Sequence, residues 1–251
     1  MRGHRKYTLP QKLLEGIRQG IFPERCPGCN DILFEREKEK GFCRSCSEKI
    51  FYIGDGGCVK CGKALADFRQ DLCMDCRKKH HAFVQNRAVY AYERPMKEAM
   101  YRFKYSNCRA YRRTFAEDAW RIYGKWLRNL DVDAVVPVPM YAKKKRRRGY
   151  NQAEVFAEEI AGRLDCRLDT WLVVRTKNTA ALKNLNEQGR KKNLENAFKI
   201  RKNSVKLNKI LLIDDIYTTG STLDGVTEAL LASGVGQVYC LTICAGREKH
   251  V

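Results

Sequence analysis

Four pairs of cysteines, each pair spaced C-x-x-C, dominate the first third of this 251-residue chain. They are Cys26 and Cys29, Cys43 and Cys46, Cys58 and Cys61, and Cys73 and Cys76, with 13, 11 and 11 residues between successive pairs. Two intervening residues let both sulfurs of a pair reach one tetrahedral ion from a tight knuckle. Gly28, Ser45 and Gly62 provide the small residues that such turns need. Two knuckles supply the four thiolates that close a structural zinc site. Taken in order, Cys26, Cys29, Cys43 and Cys46 make one site and Cys58, Cys61, Cys73 and Cys76 the other. The result is an internal duplication, a double zinc ribbon. An interleaved pairing, first with third and second with fourth, fits the same spacing. Redox motifs or disulfides are the competing uses, and four evenly placed pairs disfavour both. A segment of about eighty residues with few large apolar side chains needs metal to fold.

Lys and Arg outnumber Asp and Glu by 49 to 29, a net charge of +20. Such a balance suits polyanions or phosphorylated small molecules as partners. The basic N-terminus has no apolar core of a secretory signal. No stretch approaches the roughly 20 apolar residues of a membrane span. The expectation is a cytoplasmic protein, not membrane-inserted, in a compartment that keeps thiols free for metal. Cys108, Cys166, Cys240 and Cys244 have no partner at short range, and Cys240 and Cys244 sit in an apolar, strand-like segment that reads as core. Of the four histidines, His80 and His81 adjoin the last knuckle and read as exposed linker rather than spare ligands.

Beyond residue 81, periodic segments begin. Strands are predicted at residues 88–92, 133–139, 171–174, 209–214 and 237–243, and helices at 95–105, 111–130, 151–164 and 221–232. In the second helix Phe115, Ile122, Tyr123, Trp126 and Leu127 fall near one face. Strands alternating with helices predict an α/β fold, a mostly parallel sheet with flanking helices. The expected organisation is a zinc-bearing domain with a short N-terminal helix at residues 1–80, followed by the α/β domain at 81–251.

The segment KILLIDDIYTTGST, residues 209–222, carries the chemistry. An apolar strand ends in Asp214 and Asp215, where ligands bind in an open parallel sheet. Thr218, Thr219, Gly220, Ser221 and Thr222 then lead into a helix whose first N–H groups converge on one point. Hydroxyls and a glycine add donors and close approach, so the loop looks built for phosphate. Two carboxylates beside a phosphate make sense only with a spacer between them. A ribose 5-phosphate supplies one, with vicinal hydroxyls at one end and the anion at the other. This stretch resembles the phosphoribosyl diphosphate (PRPP) motif of type I phosphoribosyltransferases. The resemblance implies that Asp214 and Asp215 contact the ribose hydroxyls and are the catalytic acids. It implies that residues 218–222 take the 5-phosphate and that Mg²⁺ bridges diphosphate and ribose oxygens.

The resemblance extends further. The cysteine-rich head, Phe83, Arg87, FKY at 103–105, VPVPMYAKKKRRRGYNQAEVFAEEIA and RTKNTAALKNLNEQGRKKNLENAF are similar to the ComF family, from about Phe22 to Leu241. That family implies a double zinc ribbon joined to a phosphoribosyltransferase domain, a link to natural transformation, single-stranded DNA as a partner, and helicase-like or channel proteins nearby. One position departs: members often carry Gln where Leu182 stands.

Pro137, Val138 and Pro139 are expected to shape a rigid loop facing the diphosphate, just ahead of six consecutive cations. Arg148, with Gly149, Asn151 and Gln152, is assigned to closing over the diphosphate. Lys143, Lys144, Lys145, Arg146 and Arg147 are assigned to a nucleic-acid backbone, a contact that weakens with salt. Tyr141 and Tyr150 could stack on bases, although anchoring the loop on the core is the preferred reading. Residues 177–190 are expected to be the loop that closes over the site. Arg175, Lys177, Arg190 and Lys104 are then the cations that reach the diphosphate. Residues 82–130 and the zinc domain would form the hood that selects the acceptor. No further nucleophile or acid–base pair stands out. That suits a reaction whose leaving group, diphosphate neutralised by Mg²⁺, needs mainly electrostatic positioning. Two functions fit. One is Mg²⁺-dependent transfer of phosphoribose to a nitrogen acceptor. The other is a non-catalytic adaptor that senses PRPP or binds single-stranded DNA.

Overall fold

The computed structural model describes residues 23–67, 69–176, 197–201 and 206–248. Its first two units repeat one backbone plan. Cys26 N–H donates to Asp31 O at 2.8 Å, and Asn30 N–H to Cys26 O at 2.8 Å. Thirty-two residues on, Cys58 donates to Lys63 O at 2.7 Å, and Gly62 to Cys58 O at 2.8 Å. Asn30 and Gly62 share the left-handed conformation, with φ of 74° and 73°. Each knuckle hairpin is closed by a bridge, Arg25 to Ile32 and Gly57 to Ala64. Each second knuckle opens a short helix: Cys43 is the N-cap of α2 (Arg44–Ser47) and Cys73 of α3 (Met74–Lys78). One more short helix, α1 (Glu35–Lys38), lies inside the first ribbon.

The chain continues as β1 (Gln85–Ala91), α4 (Met96–Tyr105), α5 (Tyr111–Leu130), β2 (Ala134–Pro137), α6 (Ala142–Arg148) and α7 (Gln152–Leu164). Then follow β3 (Val173–Arg175), β4 (Phe198–Ile200), β5 (Lys209–Tyr217), α8 (Ser221–Ala232) and β6 (Gln237–Ala245). The main sheet has the order β1-β6-β5-β2, and every pairing in it is parallel. Burial on both faces explains why β5 reads as a continuous apolar run. Leu211 and Ile213 pack with Phe103, Phe115, Phe156 and Ile160 of α4, α5 and α7. Ile210 and Leu212 pack on the opposite face with Leu223, Val226 and Leu230 of α8. Successive side chains of a strand alternate faces, so one run serves two cores.

Both ribbons join these cores. Cys26, Leu33, Phe42 and Cys46 belong to the cluster around α4 and α5, and Cys58, Cys61 and Cys73 to the cluster around α8. The segment between the ribbons runs along β1, with Ile53 N–H donating to Val89 O at 3.0 Å and Ala91 N–H to Phe51 O at 2.9 Å. It covers a sheet edge that would otherwise offer unpaired backbone groups.

Some expectations change and others hold. The strand expected at 171–174 is β3, which pairs antiparallel with β4 and stands outside the main sheet. β5 runs on to Tyr217, so both aspartates lie within the strand. The basic run forms a helix, α6, ended by Gly149 at φ 83°. Tyr150 is buried and its hydroxyl donates to Phe103 O, so it anchors the core and is no stacking platform. His81 is buried rather than exposed linker, whereas His80 is exposed. Cys240 and Cys244 are fully buried core residues. The N-terminal helix, the closing loop at 177–190 with Lys177 and Arg190, and Leu182 lie outside the described residues.

Candidate active site

The eight paired cysteines gather into two groups, Cys26, Cys29, Cys43 and Cys46, and Cys58, Cys61, Cys73 and Cys76. Within each group the sulfurs all lie within 4.8 Å of one another. Zinc–sulfur bonds of about 2.3 Å place tetrahedral sulfurs roughly 3.8 Å apart. The Cys29–Cys43 and Cys61–Cys73 separations of 3.6 Å fit that geometry. The consecutive pairing therefore holds and the interleaved one does not. Among the described residues no histidine joins either group. These are two closed, structural zinc sites.

At the carboxyl end of β5, Asp214 and Asp215 meet a cluster of cations from other elements. Lys104 of α4 places Nζ 2.9 Å from Asp215 Oδ2. The Asp215 N–H donates to Asp214 Oδ1 at 2.8 Å, folding that carboxyl back over its own chain. Burial, and then the charge of Asp215, push the Asp214 carboxyl up to about 7, against the pull of Lys104 and Arg175. Burial lowers the Lys104 ammonium, but Asp215 and Asp214 more than offset it, and the net shift is upward. Burial also holds Arg175 below its usual range. Lys144 is lowered as well, first by desolvation and then by Arg148, Arg175 and Lys104.

Arg148 is held in place on two sides. Its Nη1 donates to Gln152 Oε1 at 3.1 Å and its Nη2 to the Tyr105 hydroxyl at 3.0 Å, with the guanidinium over the Tyr105 ring at 4.8 Å. Asn151 and Gln152 are engaged with the protein itself. Asn151 caps α7 through Ala153 N–H at 3.2 Å and donates to Val138 O at 3.0 Å. Gln152 is buried and donates to Phe103 O at 3.3 Å. Gln152 thereby braces Arg148, and Asn151 the turn at Pro137–Pro139. Lys143, Lys144, Lys145, Arg146 and Arg147 are all exposed on α6, where Lys145 pairs with Glu154 at 2.6 Å.

The loop after β5 brings Thr218, Thr219, Gly220, Ser221 and Thr222 to the start of α8. Thr218 and Thr219 are exposed, and the Thr219 and Ser221 hydroxyls lie 3.0 Å apart. Gly220 is the N-cap of α8 at φ 78°, a conformation that disfavours any side chain. The first N–H groups of a 12-residue helix, with these hydroxyls, form a donor set suited to an anion. The arrangement puts paired carboxylates, a donor loop and the Lys104 ammonium at one strand end.

Sequence reasoning missed three features here. His81 lies directly beneath the loop. Tyr105 and Trp171 are exposed large aromatics, at 57% and 69%, near the cations. Trp171 carries the Arg201 guanidinium over its ring at 5.0 Å. The sign available was a tryptophan beside an acidic and polar stretch, a ring that suits a site with one apolar side and one wet side.

The family model of the double zinc ribbon domain matches residues 17–77, and that of the phosphoribosyl transferase domain matches residues 151–251. "Competence protein F" of Haemophilus influenzae is 30% identical over 227 residues, 87% of this chain and 95% of that protein. The chain belongs to the ComF family. "Competence protein ComFC" of Bacillus subtilis is 30% identical over 213 residues, 80% of this chain and 82% of that one. "DNA utilization protein YhgH" of Escherichia coli K12 is 36% identical over 111 residues, 43% of this chain and 48% of its own length. In this ComF-family chain the matched transferase segment supplies β5, α8 and β6. Lys104, Lys144 and Arg148 come from outside it. Among the described residues no helix is long and apolar enough to cross a membrane.

Proposed function

We propose that this ComF-family protein binds PRPP with Mg²⁺ at the end of β5 and transfers its phosphoribosyl group to a nitrogen acceptor. Residues 1–80 serve as its zinc-bearing domain and 81–251 as its transferase domain. The observation that carries this reading is the acid pair at the end of β5, with Asp215 held 2.9 Å from the Lys104 ammonium, beside the donor loop that starts α8. In this reading the two carboxylates accept from the vicinal ribose hydroxyls. The loop N–H and hydroxyl groups hold the 5-phosphate, and the cations face the diphosphate. When bound, Mg²⁺ offsets charge on the diphosphate. As the bond from ribose C1 to the diphosphate oxygen breaks, its electron pair leaves with the diphosphate and Lys104 and Arg148 stabilise the growing charge. The ribose gains cationic character that the nearby carboxylates favour, and the acceptor nitrogen attacks the opposite face. Fixed charges of this kind need no reorganisation during the reaction.

Calorimetric titration of PRPP with Mg²⁺ into zinc-replete protein should show saturable binding. Asp214→Asn with Asp215→Asn should weaken it at least about a hundredfold, since charged hydrogen bonds each contribute roughly 1.5–3 kcal/mol. No binding by the wild type would overturn the reading. Diphosphate release with a panel of nitrogen bases would then separate turnover from sensing.

A second reading, single-stranded DNA binding in the cytoplasm in service of competence, draws on α6. Its exposed Lys143, Arg146 and Arg147 lie on a helix whose last residue, Arg148, stacks on exposed Tyr105, and the chain carries +20 overall. Aromatics beside a cationic track suit a single strand. Such binding would weaken with salt and persist in the aspartate double variant. Unchanged binding after neutralising Lys143, Lys145, Arg146 and Arg147 would remove α6 from the interface.

A further inference from the structure

The residue beneath the loop belongs to neither the acid pair nor the cations. His81 Nδ1 is 2.9 Å from Asp224 Oδ2 and 3.2 Å from Oδ1. Its Nε2 is 3.2 Å from the Tyr217 hydroxyl. A carboxylate accepts, so the Nδ1–H donates to Asp224. Tyr217 is the last residue of β5, and Asp224 stands in the first turn of α8. One imidazole therefore ties together the two ends of the loop.

Gly220, between those ends, lies flat on the pair. A Cβ there would fall 2.7 Å from His81 Cε1 and 2.8 Å from the Tyr217 hydroxyl oxygen. The loop has no clearance above its floor, so the floor sets where its N–H groups point.

His81 is in turn fixed by the second ribbon. Its ring stacks on Phe83 at 4.9 Å, and Ala82 N–H donates to Asp224 Oδ1 at 3.0 Å. Phe83 and Tyr217 share an apolar cluster with Cys58, Cys61 and Cys73. Asn86 Nδ2 donates to Cys61 O at 2.7 Å and Lys60 Nζ to Val84 O at 3.1 Å, which locks the segment 83–86 to the knuckle. The first ribbon makes no comparable contact with the loop among the described residues.

We propose that His81 is a positioning residue for the loop of residues 217–222, and that the second zinc ribbon, by fixing His81, sets how tightly this loop holds a 5-phosphate. The inference rests on the phosphoribosyl reading and deepens it. Donors aimed at an anion act through fixed direction, and a supporting shell is what fixes it. Without the ring, Asp224 and Tyr217 lose their shared partner and Gly220 gains room to sink.

The test titrates ribose 5-phosphate, and separately diphosphate with Mg²⁺, into the full zinc-replete chain and its variants. His81→Ala should weaken ribose 5-phosphate about tenfold or more, the scale of one lost buried hydrogen bond or two. Diphosphate, which meets the cations and not the loop, should stay within about twofold. His81→Asn, whose amide can still donate to Asp224, should recover part of the loss. Bound zinc should be unchanged in both. Should His81→Ala fail to retain zinc, Tyr217→Phe removes only the hydroxyl facing Nε2 and should show the same selectivity at smaller size. Equal loss of both ligands would mark a purely structural role and overturn the inference. Unchanged ribose 5-phosphate affinity would overturn it while leaving the phosphoribosyl reading intact. If the wild type binds neither ligand, that reading fails and the inference falls with it.

Discussion

The two ribbons share a backbone and differ in what they lean on. The first packs against helices. Arg102 of α4 donates to the knuckle carbonyls of Pro27, at 2.9 Å, and Gly28, and the Tyr111 hydroxyl of α5 donates to Asn30 Oδ1 at 3.0 Å. Phe42 meets Tyr90 edge-on at 6.2 Å. The second packs against the end of the sheet where the acid pair and loop lie, with Asn86, Phe83 and Tyr217 as its neighbours. Duplicating a metal knuckle duplicates its stability, not its role. What a knuckle does for function depends on which element receives its outer face.

Removing one metal at a time is the strongest way to break this comparison. Cys46→Ser and Cys73→Ser should each lower stability by several kcal/mol, because metal binding supplies folding energy on the order of 10 kcal/mol in small zinc domains. At a temperature where both variants keep their helical signal by circular dichroism, only Cys73→Ser should lose ribose 5-phosphate binding. Equal losses would make the ribbons equivalent.

A smaller effect comes from pH. The Asp214 carboxyl, raised to about 7, keeps its proton in the folded protein through a range where the unfolded chain has lost it. Its contribution to stability is therefore present below the usual carboxylate range and is lost as pH rises through about 7. The sign for binding is opposite, since a carboxylate accepts from ribose hydroxyls and a protonated group accepts less. PRPP affinity with Mg²⁺, measured by calorimetry, should fall about tenfold from pH 8 to pH 6, the change expected of one group titrating within that span. The profile should be the same in a variant of the first ribbon and wild type.

The smallest expected change is Arg102→Ala. It removes the two hydrogen bonds to the first knuckle and should cost about 1–2 kcal/mol in thermal or denaturant unfolding. Ligand affinity should not move, which separates a helix-side buttress from a site-side one.

Much of this was legible in the sequence because the signals were local. The C-x-x-C spacing marks the eight sulfurs as metal ligands, although which knuckles share an ion shows only when the sulfurs are placed. The run Ile210 to Ile213, followed by two acids and a threonine–glycine turn, describes a buried strand, its mouth and a helix start within fourteen residues. The features that escaped depend on distant partners. His81 sits in a lysine-rich stretch that looks solvated, and its partners Tyr217 and Asp224 are 136 and 143 residues away. Six adjacent cations suggest a mobile loop through mutual repulsion, yet α6 is stabilised by a glycine stop and by the pairing of Lys145 with Glu154 on α7. Asn151 and Gln152 follow the basic run, and their structural partners are distant in sequence. A polar side chain beside a charge is as often the scaffold that aims it, and only the partners Val138 and Phe103 reveal this.

The order of the main sheet has a consequence for how the chain is made. β6, the last strand in sequence, lies in the middle, between β1 and β5. β1 and β5 cannot meet until it arrives. During synthesis, then, the ribbons can load metal early while β1 waits about 150 residues of translation for its neighbour. Contacts of such long sequence separation close slowly. The segment joining the ribbons covers the opposite edge of β1, so the edge that awaits β6 is the one left open to pairing with another chain.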